Sequence, residues 1–94
     1  MQLKDALFNW LQIQVVWDKR PSDRSAKETV HFFEEMLRED HQVTIVEKKA
    51  EGDNYLITYE QAGEPSQIAF PRDQADKLLN DIINEPKYNQ SFGD

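Results

Sequence analysis

The strongest pattern in the chain lies at its start. From Leu3 to Trp17 (LKDALFNWLQIQVVW) nine large apolar or aromatic side chains occupy fifteen positions. At about 100° per residue, Leu3, Leu7, Trp10 and Trp17 line one stripe of a helix, with Ala6 and Ile13 on its flank. Phe8, Leu11 and Val15 form a second stripe on the adjoining face, and Asp5, Asn9 and Gln12 keep a narrow polar strip. A helix this apolar has to be covered on two sides, by its own domain or by another chain. The pattern predicts a helix from about Gln2 to Val16 or Trp17, with a frayed last turn because Ile13, Val15, Val16 and Trp17 are weak helix formers. Pro21 biases Arg20 away from helical geometry, so Asp18-Lys19-Arg20-Pro21 reads as a short link.

A second helix follows. Ser22 is one candidate cap, and Ser25-Ala26-Lys27-Glu28 has the spacing of a capping box, in which serine and glutamate each satisfy a terminal N–H. Ala26, Val30, Phe33 and Leu37 make one apolar stripe, Phe32 and Met36 a second, and the pattern fades near Asp40 or His41. Two broadly apolar helices joined by a short link predict an antiparallel hairpin.

The period then changes to alternation. Val43 and Ile45, then Tyr55, Ile57 and Tyr59, share one parity on either side of a turn at Glu51-Gly52-Asp53. A three-residue loop there sets Ile45 opposite Tyr59 and Glu47 opposite Ile57. A four-residue loop, Ala62-Gly63-Glu64-Pro65, sets Tyr59 opposite Ile68 and Ile57 opposite Phe70. Both turns place Val43, Ile45, Tyr55, Ile57, Tyr59, Ile68 and Phe70 on one face, and a slip of one residue would break that agreement. Thr44, Val46, Lys48, Leu56, Thr58 and Ala69 fall on the other, wetter face.

Pro71 opens a last helix, where its missing N–H costs nothing, and Ala75, Leu78, Leu79, Ile82 and Ile83 give it a narrow stripe. Pro86 ends it. The expected fold is α+β in the order α-α-β-β-β-α: a three-stranded antiparallel meander packed on one face by helices, with an N-terminal helical hairpin. Residues 1–86 are expected to form one domain and residues 87–94 a flexible tail. The expected core comprises Leu7, Trp10, Val30, Phe33, Leu37, Ile45, Ile57, Ile68, Phe70, Leu78 and Ile82.

Composition narrows the function more than it names it. The 94 residues contain no cysteine, which excludes disulfides, thiolate metal sites and cysteine nucleophiles. Asp5 stands where a secretory signal has its basic region, and polar residues interrupt the only candidate membrane span, so a cytoplasmic protein is expected. Eleven basic against eighteen acidic residues leave a formal charge of −7, which opposes attraction to nucleic acid or to anionic membrane.

Candidate chemistry is sparse. His31, Glu34 and Glu35, with His41 beyond them, have helical spacing for metal ligands, but they belong to an acidic solvated face and no metal is expected. Ser22, Ser25, Ser66 and Ser91 sit in caps, turns or the tail, and no phosphate-binding or dinucleotide glycine motif is present, so neither an enzyme nor a cofactor is expected. Tyr55 and Tyr59 lie on the core-facing parity, where half-buried sheet tyrosines are the ordinary reading and a ligand groove the rarer one. The single basic concentration spans Lys19 to Lys27. There Arg20, Ser22, Arg24, Ser25 and Lys27 gather at a helix N-terminus, the physical recipe for a small-anion or phosphate site. Asp18, Asp23 and Glu28 stand among them, and local pairing is the plainer reading.

The second stripe of the first helix, Phe8, Leu11 and Val15, stands apart because it needs a surface to cover it. The expectation is a small accessory or regulatory protein acting through a protein partner, with a homodimer across that stripe. The alternative is a module binding a small anion or phosphorylated ligand at the start of the second helix.

Overall fold

The structure, a computed structural model, describes residues 1–84. The expected stop at Pro86 and the tail over 87–94 lie outside the described residues. Helix α1 (Leu3–Lys19) and helix α2 (Arg24–His41) precede strands β1 (Val43–Glu51), β2 (Asn54–Gln61) and β3 (Glu64–Pro71). Two short helices, α3 (Arg72–Ala75) and α4 (Lys77–Asn84), close the described chain. The strands form one antiparallel sheet in the order β1-β2-β3, with the helices packed on one face, so the α+β meander expected from the sequence is the fold.

α1 is the central element of the helical layer. Phe8 meets Phe70 of β3 at a ring-centroid distance of 5.4 Å, and Asp18 pairs with Lys48 of β1 at 3.0 Å, so the helix crosses the sheet from one edge to the other. α2 returns antiparallel along it. Trp10 Nε1 donates to Glu34 Oε2 (3.1 Å), and Trp17 meets the His31 ring edge-on at 5.8 Å, so the partner's numbers fall as those of α1 rise. α3 and α4 flank α1 on the other side. Ala6, Leu7, Trp10, Leu11, Val15 and Val16, which span both stripes of α1, are all buried. That enclosure carries the helix to Lys19, two residues past its weak formers, because burial of an apolar face outweighs intrinsic propensity. Each large aliphatic side chain so covered contributes roughly 1.5–3 kcal/mol.

The sheet keeps the expected inward face and the expected pairing of Ile45 with Tyr59, but the other expected pairs are displaced. Both hairpin turns hold two residues instead of three and four. Gly52 (φ 61°) opens the first, and Ala62 (φ 52°) with Gly63 (φ 85°) forms the second. Positive φ at both centres of the second turn is the type I′ geometry, whose twist matches the flanking strands. β2 and β3 therefore pair Ile57 with Ile68 and Tyr55 with Phe70, two positions away from the expected partners. A shift of two preserves parity, so the same side chains still face the helices.

The first turn is one residue shorter than expected, and that would invert a face. A β-bulge at Val46 absorbs the difference: Ile45 pairs with Tyr59, but the next pair is Glu47 with Thr58. Ile45 stays inward, while Lys48, assigned by alternation to the outer face, sits opposite Ile57 on the helix-facing side. There it pairs with Asp18 and lies 5.4 Å from the centroid of the Tyr55 ring.

Two boundaries also differ. Pro71 is the last residue of β3 and the cap of α3, while Arg72 is the first helical residue, its N–H donating to Asp53 O at 2.9 Å. The final helix is interrupted at Asp76, so α3 and α4 stand where one helix was expected. The core contains Leu7, Trp10, Val30, Leu37, Ile57 and Phe70 as expected. Phe33, Ile45, Ile68, Leu78 and Ile82 are only half-buried against it. Leu11, Val15, Val43, Tyr55, Tyr59 and Leu79 are buried core members that the expected core left out.

Candidate functional site

The start of α2 tests the anion reading residue by residue. Arg20, Ser22, Arg24 and Ser25 line one open cleft of about 670 Å³ together with Pro21, Asp23 and Ile82, and Lys27 is not part of that lining. Neither Ser22 nor Ser25 is the cap. Asp23 is the N-cap, and its Oδ1 accepts from Ala26 N–H at 3.0 Å. A carboxylate is a stronger acceptor for this end of the helix dipole than a serine hydroxyl, so aspartate holds the place an external anion would take. Its other oxygen, Oδ2, lies 3.4 Å from the shielded Nε of Arg20, an ion pair without hydrogen-bond geometry. The cleft thus has its own internal anion.

The α1 stripe offered as a dimer surface is not a surface. Leu11 is 0% and Val15 4% exposed, and Phe8 is half-buried against Phe70. Leu11 and Val15 are thus enclosed within one chain, with Phe8 packed at the edge of the same core.

The polar clusters are also committed internally. Both oxygens of Glu34 are engaged, Oε2 by Trp10 Nε1 and Oε1 by His31 Nδ1 at 3.4 Å. Among the described residues no group of three or more histidine or carboxylate side chains is placed to hold a metal ion. Tyr55, 8% exposed, donates its hydroxyl to Asp76 Oδ1 at 2.6 Å, which ties β2 to the junction of α3 and α4. Burial pushes the Tyr55 hydroxyl above its ordinary pKa, the Asp76 carboxylate reinforces the shift, and Arg72 opposes it. A phenol held in its neutral form serves as a latch, and a general base would need the opposite shift.

Among the described residues, the outer flank of α2 is also open. Phe32 is 58% exposed, although its ring packs edge-on to Phe33 at 5.3 Å. With half-buried Met36 and the side chains of Glu35, Glu39 and Asp40 it lines a shallow groove of about 360 Å³. The sequence showed this flank as the second stripe of α2, but gave no sign that it would be left uncovered. At about 100° per residue Phe32 and Met36 lie on the side away from Glu34 and Arg38, which border β1 in a separate cleft.

No family model, curated protein or solved structure matches this chain. Its class rests on the fold alone: an α+β domain with a helical layer on one face of a three-stranded meander. Among the described residues no helix is long and apolar enough to cross a membrane.

Proposed function

We propose that this protein is a small cytoplasmic accessory protein that acts by binding another protein through the outer flank of α2, without catalysing a reaction. The observation that carries this reading is Phe32, a phenyl ring 58% exposed in the middle of a helix whose opposite face is buried. Met1, Val46 and Ile83 are the other large apolar side chains that stand exposed among the described residues, and Phe32 alone of these is aromatic. Exposed aromatic side chains beside a flexible methionine supply the anchors from which interfaces draw most of their energy. A homodimer across α1 is not part of the proposal, because the stripe it needed is covered by the chain itself.

The test is quantitative capture from extract of the native cells, comparing wild type with Phe32→Glu and with Val46→Glu as a control on the sheet. A protein retained by wild type and by Val46→Glu but lost by Phe32→Glu supports the reading. Equal retention by all three, or by none, contradicts it.

A further inference from the structure

The surroundings of Phe32 specify the chemistry of what covers it. At about 100° per residue Glu28, Glu35 and Glu39 fall on the side of α2 nearest Phe32 and Asp40 falls beside Met36, and these four acids are all exposed, while Lys27 and Arg38 lie farther round the helix, next to Glu34. Among the described residues the groove itself is lined by two apolar side chains and three carboxylates, with no cation. Glu39 has an exposed ion pair with the neighbouring Arg38 at 3.7 Å, which is screened by solvent and holds little of its charge back.

We infer that the outer flank of α2 docks a basic amphipathic helical segment of a partner protein, its apolar stripe on Phe32 and Met36 and its cations facing Glu35, Glu39 and Asp40. This rests on the protein-binding reading above and adds the identity of the occupant. Phe32 and Met36 stand one helical turn apart, the spacing at which a second helix sets its own ridge of side chains alongside. A second copy of this chain fits poorly on the same face. A twofold contact would bring the acidic frame against itself, in a protein whose net charge is already −7. A cationic partner turns that same frame into attraction and faster encounter.

The probe is a labelled synthetic amphipathic helix of leucines and lysines, set against a leucine–glutamate helix of the same pattern and a lysine–serine peptide without the apolar stripe. Binding is followed by fluorescence anisotropy over a range of salt. The leucine–lysine helix should bind best and weaken with salt. Phe32→Ala should weaken it about tenfold or more, as loss of an interface anchor does. The triple change Glu35→Gln, Glu39→Gln, Asp40→Asn should remove most of the salt dependence while leaving circular dichroism unchanged.

Equal binding of the leucine–lysine and leucine–glutamate helices, lost in Phe32→Ala, would overturn the basic occupant and leave the protein-binding reading intact. Equal binding of the leucine–lysine helix to wild type and Phe32→Ala would show unspecific charge attraction and overturn both. A wild type that sediments as a dimer, and that Phe32→Ala dissociates, would assign the flank to a second copy.

Discussion

At the scale of single residues, the structure separates side chains that the sequence pattern treats alike. Phe33 and Phe70 both belong to apolar stripes, yet Phe70 is 4% exposed against Phe8 while Phe33 is half-buried beside Phe32. Phe70→Ala should therefore cost about 3–5 kcal/mol and Phe33→Ala roughly 1–2 kcal/mol in urea unfolding, since the penalty scales with the cavity left behind. Equal losses would contradict the assigned burial. The cap makes a similar contrast. Asp23→Ala should cost about 0.5–2 kcal/mol, and Ser25→Ala far less, because only the aspartate accepts a terminal N–H.

Tyr55 adds a dependence on pH. Its folded-state pKa is raised above the ordinary value of about 10. Between the unfolded and folded values the unfolded chain has lost a proton that the folded chain keeps, so raising the pH favours unfolding. The stability that Tyr55 contributes is thus complete below about pH 10 and disappears as the pH climbs through the folded value. The stability gap between wild type and Tyr55→Phe, measured by denaturant melts across alkaline pH, should narrow in that direction. A gap that widens or stays constant would show that the hydroxyl of Tyr55 is not held by Asp76 as described.

At the scale of elements, most of the fold was legible because hydrophobic period depends on few other things. The helical stripes located α1 and α2, and the common parity of Val43, Ile45, Tyr55, Ile57, Tyr59, Ile68 and Phe70 located the inward sheet face. Turn lengths were not legible. Ala62 adopts a positive φ that alanine seldom takes, so a two-residue Ala62-Gly63 turn carried little signal against a longer loop ending at Pro65. The bulge at Val46 has no signature in this sequence at all, and it moved Lys48 across the sheet. Proline misled in the same way at Pro71. Its tolerance at a helix start is real, but it is equally tolerated on an edge strand such as β3.

The enclosure of α1 was weighed in the sequence and settled by packing. One helix with two apolar stripes fits either a sandwiched element or an interface, and only the placement of α2, α3, α4 and the sheet around it distinguishes these. The uncovered flank of α2 was hidden for the converse reason, since an apolar pair at helical spacing ordinarily reads as core. Leu11→Asp would place an unpaired charge at a fully buried position and should unfold the chain, seen as loss of helical circular dichroism.

At the scale of the whole molecule, charge sets the choice of partners. With −7 overall, and with Arg20 at the start of α2 paired to Asp23, the protein should bind duplex DNA only weakly even at low salt. Sub-micromolar binding with a steep salt dependence would overturn that argument. Inorganic phosphate should likewise leave the melting temperature unchanged, because the helix end it would occupy is capped from within.

The contact surface proposed on α2 presupposes that both stripes of α1 are internal, and sedimentation velocity of wild type and Leu11→Asp over a concentration series tests that enclosure most directly. We expect wild type to remain monomeric throughout, and Leu11→Asp to yield no compact species. A concentration-dependent wild-type dimer, resolved by Leu11→Asp into a compact and folded monomer, would contradict it and return the interface to Phe8, Leu11 and Val15.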